Sequence, residues 1–258
     1  MVIAAQSADP QLDALVLAIV ERLQPELILL FGSRVRGDAH EDSDYDLLLV
    51  LRDGADVEHD RKAVCDLQWP MPISADVLAC TVSDYQHRQH DPGFLAWLVS
   101  REGRLLYSRG TVPQRSPRTD RVREGGKPTE GRDIWVERAE SDFQAAINSL
   151  GSAKPSWDAI CFHAHACIEK LLKALIVSGG TYPPRTHVLK DLTSRLPKSA
   201  RDEAELIAIA KLLDDVYPRS RYVEYPMPTP DEARAAFDAA CRARDRLLKQ
   251  LKQLKQQG

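Results

Sequence analysis

The sequence predicts two unlike halves, an α+β domain followed by an all-α up-and-down helical bundle. Three observations predict this. Up to about residue 108, short apolar runs bounded by turn residues alternate with stretches of helical spacing. Residues 109–132, "RGTVPQRSPRTDRVREGGKPTEGR", hold prolines, glycines and arginines and almost nothing apolar. From Asp133 onward the apolar residues recur every three or four positions. The boundaries are therefore 1–108 for the first domain, 109–132 for a basic flexible linker and 133–258 for the bundle. A chain of 258 residues is long enough to give each half its own core.

Taken in order, Pro10 to Leu23 carries Leu12, Leu15, Val16, Ile19, Val20 and Leu23 at the spacing of an amphipathic helix. "ELILLF" reads as a buried strand ending at Gly32, "DYDLLLVL" as a second strand and "ISADVLAC" (Ile73 to Cys80) as a third. A charged helical segment around Val57 to Leu67 separates the last two. "GFLAWLVSREGRLLYS" gives a helix, a turn at Gly103 and a final strand ending near Ser108. In the second half, Trp157, Ile160, Ala164, Ile168, Leu171 and Leu175 form a core stripe, and Gly179-Gly180 stops that helix. Further helices fit His187 to Leu196, Arg201 to Tyr217 and Pro230 to about Leu254. The last has Pro and two acidic residues in its first turn and lysines near its end, in agreement with the helix dipole.

Charge follows the same partition. Residues 1–108 hold 9 Lys and Arg against 18 Asp and Glu, and the remainder holds 26 against 20. The linker alone has seven basic and three acidic side chains, which suits a solvated tether and would also suit RNA or an acidic surface. Five cysteines without C-x-x-C spacing argue against a zinc site or a disulfide framework, so a reducing cytosol is expected. No stretch has the length and apolarity to cross a bilayer. The expectation is a cytoplasmic protein with no membrane partner.

The stretch "LFGSRVRGDAHEDSDYDLLLV", Leu30 to Val50, carries the chemistry. In a strand, successive side chains point to opposite faces, so Asp44 and Asp46 share one face and Tyr45 points away. Two carboxylates held a few ångströms apart repel unless a cation lies between them. Magnesium suits carboxylates combined with phosphate oxygens. A turn opening with Gly32 and Ser33 after a strand lets backbone N–H groups approach phosphates closely. Together these features describe a site that grips a triphosphate and its metals.

Strand, Gly32-Ser33, ten residues, Asp44-x-Asp46, strand is the pattern of the DNA polymerase beta-like nucleotidyltransferase superfamily, and "GSRVRGDA" resembles its minimal nucleotidyltransferase branch. The resemblance covers roughly residues 10–108. It implies transfer of a nucleoside monophosphate, AMP from ATP or the equivalent from another NTP, to a hydroxyl acceptor, with pyrophosphate leaving. It also implies two Mg2+ ions held by Asp44 and Asp46, and a third carboxylate on a neighbouring strand. Asp76 is the position assigned to it, since Ser74, Asp76 and Leu78 share a face opposite Ile73, Ala75 and Val77. In that scheme Asp44, Asp46 and Asp76 are both catalytic and metal-binding. Gly32, Ser33 and Arg36 contact the nucleotide, and Arg34 is a further arginine of the same loop available to phosphate.

"AICFHAHACIEKLLKALIVSGG", with "THVLKDL" and "YPRSRY", resembles the HEPN domain over about residues 133–250. Many such domains are ribonucleases with an arginine followed four to six residues later by a histidine. Here "RSRYVEYPMPTP", Arg219 to Pro230, holds no histidine, so RNA cleavage is not expected. His163, His165 and His187 read as hydrogen-bonded or packing residues. Tyr217, Tyr222 and Tyr225 form an aromatic run where related toxin domains present a tyrosine for adenylylation, or where aromatics cover a dimer seam. A two-fold homodimer through the bundle is expected, with an RNA end, a protein tyrosine or a small molecule as acceptor. The competing class is a toxin–antitoxin-like or RNA-binding assembly in which catalysis is secondary. Antibiotic nucleotidyltransferases also join such a domain to a helical bundle.

Overall fold

The computed structural model describes residues 2–3, 9–40, 43–68, 73–110, 130–196, 204–222 and 224–256. The chain divides into two compact units, Met1–His90 with Phe94–Gly125, and Asp91–Gly93 with Gly126–Gly258. Most of the expected linker, residues 111–129, lies outside the described residues.

The first unit is built on a five-stranded mixed sheet. Its strands are β1 (Val2–Ile3), β2 (Leu27–Phe31), β3 (Tyr45–Leu51), β4 (Ala75–Thr81) and β5 (Arg104–Ser108), in the order β1-β5-β2-β3-β4. Among these described strands only the β3–β4 pair is parallel. A parallel pair needs a crossover, and α3 (Val57–Gln68) supplies it. On one face Tyr45, Leu47 and Leu49 of β3 and Ile28 and Leu30 of β2 pack against Leu12, Leu15, Val16 and Ile19 of α1 (Pro10–Leu23) and Val64 of α3. On the other face Leu29, Phe31, Leu48 and Val50 pack against Tyr85 of α4 (Val82–Arg88) and Ala96 and Val99 of α5 (Leu95–Glu102). Because both faces are covered, β2 and β3 are apolar runs rather than alternating ones. The helix α1 starts at Pro10 because the Asp9 carboxylate accepts the Gln11 N–H at 2.9 Å, an N-cap followed by proline.

The second unit is helical: α6 (Glu130–Leu150), α7 (Trp157–Ser178), α8 (Leu189–Ser194), α9 (Ala204–Val216) and α10 (Pro230–Gln256). Helix α7 is central. From Ile160 to Val177 every residue except Phe162, His163 and Lys170 is buried, so neighbours cover almost its whole circumference. Helix α10 presents Ala233, Ala236, Ala240, Ala243 and Leu247 to α7, small residues at three- and four-residue spacing that allow close approach. Gly180, at φ +80°, is the left-handed residue that ends α7.

Two boundaries differ from expectation, and a third falls outside the described residues. The helix expected from His187 begins at Leu189, because the Asp214 carboxylate accepts the Leu189 N–H at 2.9 Å and the Lys190 N–H at 3.1 Å. Helix α6 begins at Glu130, inside the stretch read as linker. The helix expected from Arg201 is described from Ala204, residues 201–203 being outside the described set. Among the described residues no helix is long and apolar enough to cross a membrane.

Candidate active site

Strand register assembles the carboxylates. Phe31 of β2 stands opposite Asp46 of β3, and Asp46 stands beside Asp76 of β4. Residues at paired positions share a face, so Phe31, Asp46 and Asp76 form a row across three strands. Neighbouring strands lie about 4.8 Å apart, which keeps the two carboxylates within a few ångströms. The row lies on the face covered further along by α4 and α5. That cover reaches Phe31, which is buried, but not the β4 end of the row: Asp76 is exposed, and Leu78, next along the same face, is 38% exposed. Asp44 is exposed and precedes β3 by one residue, so the strand period puts it on the side of Asp46.

Gly32 closes this arrangement from β2. Its backbone has φ +79° and ψ −154°, a conformation open essentially to glycine alone. A Cβ there would lie 1.7 Å from Asp46 Oδ2. The missing side chain is thus the space in which the Asp46 carboxylate sits. From Gly32 the chain enters the single-turn helix α2 (Ser33–Arg36), whose opening N–H groups have no partner within the helix by its geometry. Gly37, at φ +83°, ends the turn as its N–H donates to the Ser33 carbonyl at 2.9 Å.

The two arginines of that turn behave differently. Arg36 is surface-exposed and pairs with Asp38 at 3.3 Å, an ion pair that solvent screens. Arg34 turns to the Tyr45 side of β3. Its Nε and Nη2 both donate to the Ser43 carbonyl, at 2.9 and 2.5 Å, and its guanidinium lies 4.0 Å over the Tyr45 ring. The Tyr45 hydroxyl donates to the Asp9 carboxylate. This hydrogen bond holds the Asp9 carboxyl below its usual range, while burial, and then Asp9, push the Tyr45 phenol up. The sequence suggests an Arg34 that faces phosphate. Its actual partners emerge only in three dimensions, because nine residues separate it from Ser43.

The donor set around the row is carboxylate oxygen only, which matches a hard divalent cation. Among the described residues no group of three potential ligands is gathered tightly enough to hold a metal by itself. Magnesium fits that condition, because it is commonly bound by one or two carboxylates plus substrate phosphates rather than by an all-protein cage.

The helical unit has its own polar face on α7. Each of its three histidines is paired with a carboxylate: His163 with Asp142 at 2.9 Å, His165 with Asp214 at 3.2 Å and His187 with Glu169 at 3.1 Å. His165 is fully buried and stacks on Tyr217 with centroids 4.0 Å apart. Glu169 and Lys173, both nearly buried, pair at 2.7 Å. Burial alone would raise the Glu169 carboxyl, but Lys173 and His187 outweigh it and hold it below its ordinary value. Arg219 donates to the carbonyls of Pro226 and Met227 and forks onto Glu232 at 2.6 and 2.9 Å, so it fastens the loop after α9 to the start of α10. Tyr222, Tyr225 and Met227 of that loop remain exposed, at 54%, 52% and 63%.

Comparison with known proteins followed the same division. The family model described as "Polymerase beta, Nucleotidyltransferase" matches residues 16–111, and the HEPN domain model matches residues 133–251. Among solved structures, TT1696 from Thermus thermophilus is 27% identical, covering 47% of this chain and 98% of its own, with a TM-score of 0.43. ST0689, an archaeal HEPN homologue, is 23% identical, covering 46% of this chain and 97% of its own, with a TM-score of 0.37. A search of curated proteins found no match.

Proposed function

We propose, for a chain that carries a polymerase beta nucleotidyltransferase domain followed by a HEPN domain, transfer of a nucleoside monophosphate from ATP or another NTP to a hydroxyl acceptor. The single observation that carries this reading is the row of Asp46 and Asp76 on paired strand positions, with Gly32 opening the space beside Asp46.

In this reading Asp44, Asp46 and Asp76 hold two Mg2+ ions, which when bound supply charge stabilisation at the attacking and leaving oxygens. The remaining work belongs to the chain. Gly32 and Ser33 bring backbone N–H groups to the terminal phosphates, and Arg36 offsets their charge from the exposed side of the turn. Asp76, the most open carboxylate of the row, accepts the proton of the attacking hydroxyl. The exposed Asp44 and Asp76 leave the acceptor an approach to the row. The bundle, residues 133–258, forms a two-fold homodimer through the patch of Tyr222, Tyr225 and Met227, whose exposed aromatic and sulfur side chains are of the kind found at interfaces.

The test is incubation of the protein with magnesium, cell lysate and ATP labelled at the α-phosphate, beside a parallel reaction with the γ-phosphate labelled. Nucleotidyl transfer passes only the α-label to an acceptor, and digestion with nuclease or protease then sorts the acceptor class. Passage of the γ-label alone, or of neither, would refute the proposal.

A further inference from the structure

The loop from Gly37 to Asp44 must deliver Asp44 to the same small volume as Asp46, yet β3 does not begin until Tyr45. The first ladder bond on the β4 side belongs to Tyr45, whose N–H donates to the Ser74 carbonyl at 2.9 Å. The peptide plane that precedes Asp44 therefore lies outside the sheet. Its oxygen, the Ser43 carbonyl, is the atom that both Arg34 donors grip. Because Ser43 C=O and Asp44 N–H belong to one rigid peptide unit, fixing that oxygen fixes the plane from which the Asp44 Cα departs.

Each end of this grip is itself anchored. Ser43 is tied to the loop, since its side chain accepts the His40 N–H at 2.9 Å and its own N–H donates to the His40 carbonyl at 3.1 Å. Arg34 rests on the ring of Tyr45, which is 7% exposed and fastened to Asp9 at the cap of α1. Arg34 also follows Ser33 directly in α2. One guanidinium thus ties the Gly32-Ser33 turn to the approach to Asp44.

The side on which Arg34 lies decides its role. Tyr45 belongs to the core formed with Leu47, Leu49 and α1, whereas Asp46 shares its face with Leu48 and Val50. A guanidinium stacked on Tyr45 is on the opposite side of β3 from the carboxylate row, and so cannot also cover phosphates bound there. We infer that Arg34 is a positioning residue for Asp44, acting through the Ser43–Asp44 peptide and not by contact with the nucleotide. This inference rests on the carboxylate reading of the site proposed above.

The test uses the full-length chain with Mn2+ and a non-hydrolysable ATP analogue as the probe, with metal binding in that complex followed by electron paramagnetic resonance, alongside kcat and KM for ATP. Residues that orient a ligand typically contribute about 10–100-fold to metal affinity or activity. Arg34→Gln and Arg34→Lys should each weaken Mn2+ binding by about that factor and lower kcat, with KM for ATP unchanged. Lysine keeps the charge but cannot fork onto one carbonyl while stacking on a ring. In an Asp44→Asn background, Arg34→Gln should add nothing to the loss of Mn2+ binding. Full function in Arg34→Lys would show that charge alone is needed and overturn the inference. A raised KM with unchanged Mn2+ binding in Arg34→Gln would do the same, by placing Arg34 on the nucleotide. If instead Asp44→Asn leaves Mn2+ binding intact, the carboxylate reading itself falls and takes the inference with it. If Arg34→Gln does not fold, as judged by circular dichroism, Arg34→Lys alone decides.

Discussion

Replacing Gly32 by alanine tests the geometry of the site with a single methyl group. The new Cβ would meet Asp46 Oδ2 at 1.7 Å and Cγ at 2.7 Å, where ordinary contact begins near 3.4 Å. The carboxylate must therefore retreat by about 1.7 Å, because repulsion rises steeply inside the van der Waals distance. Misplacing a reacting group by about 1 Å costs roughly 10²-fold in rate, so kcat should fall by at least that factor. The φ of +79° adds strain of about 1–3 kcal/mol to the folded state. Gly37→Ala is the matched control. Its φ is +83°, but a Cβ there meets nothing within 4 Å, so it carries backbone strain without the collision. Pyrophosphate release with ATP, magnesium and lysate measures activity, and urea unfolding followed by circular dichroism measures stability. Gly32→Ala should lose both, whereas Gly37→Ala should lose stability and keep most activity. Activity within twofold of wild type in Gly32→Ala, or an equal loss in Gly37→Ala, would show that the space beside Asp46 does not matter to the reaction.

Four further outcomes are expected. Glu169→Gln leaves Lys173 charged and nearly buried without its partner, so unfolding should show a loss of about 3–5 kcal/mol, whereas Glu169→Met with Lys173→Met should come close to neutral. Because the folded Glu169 carboxyl lies below its ordinary value of 4.5, its contribution is present above that pH and is lost as pH falls through the lower folded value. Wild type should accordingly lose more stability than Glu169→Gln between pH 5 and pH 3 in a thermal melt followed by circular dichroism. The chain should leave RNA intact in the presence of a chelator, since Arg219 is engaged by Glu232 and residues 219–230 hold no histidine; cleavage lost on Arg221→Ala would contradict this. Light scattering should report two chains per particle at micromolar concentration, and Tyr225→Arg with Met227→Asp should shift it toward one.

The sequence makes the architecture readable wherever an apolar pattern is long enough to have a period. Helices α1, α7 and α10 follow from such patterns, β2 and β3 read instead as short apolar runs bounded by turn residues, and the alternation in "ISADVLAC" puts Asp76 on the face opposite Ala75 and Val77, as the strand shows. Short elements are not readable: β1 has two residues and α2 has four, too few to show a period. The start of α8 falls two residues later than its local pattern suggests because Asp214, some two dozen residues away, caps it and overrides local preference. The partners of Arg34 and Arg219 are hidden for the same reason. Arg34 reads as available to phosphate, and Arg219 gives no local sign of its partners, until the fold shows which carbonyls they grip. Gly32 is legible as a turn residue, but not as the space for Asp46, which depends on strand register.

Removing the charge of Asp44 and Asp46 at nearly constant volume tests most directly whether the carboxylates perform nucleotidyl transfer. The measurement is magnesium-dependent pyrophosphate release from ATP in a lysate-supplemented reaction, comparing wild type with Asp44→Asn plus Asp46→Asn. Circular dichroism should first show that the variant is folded. Wild type should release pyrophosphate, and release should fall to background in the folded variant. Release at the wild-type rate by the folded variant would contradict that role for the carboxylates.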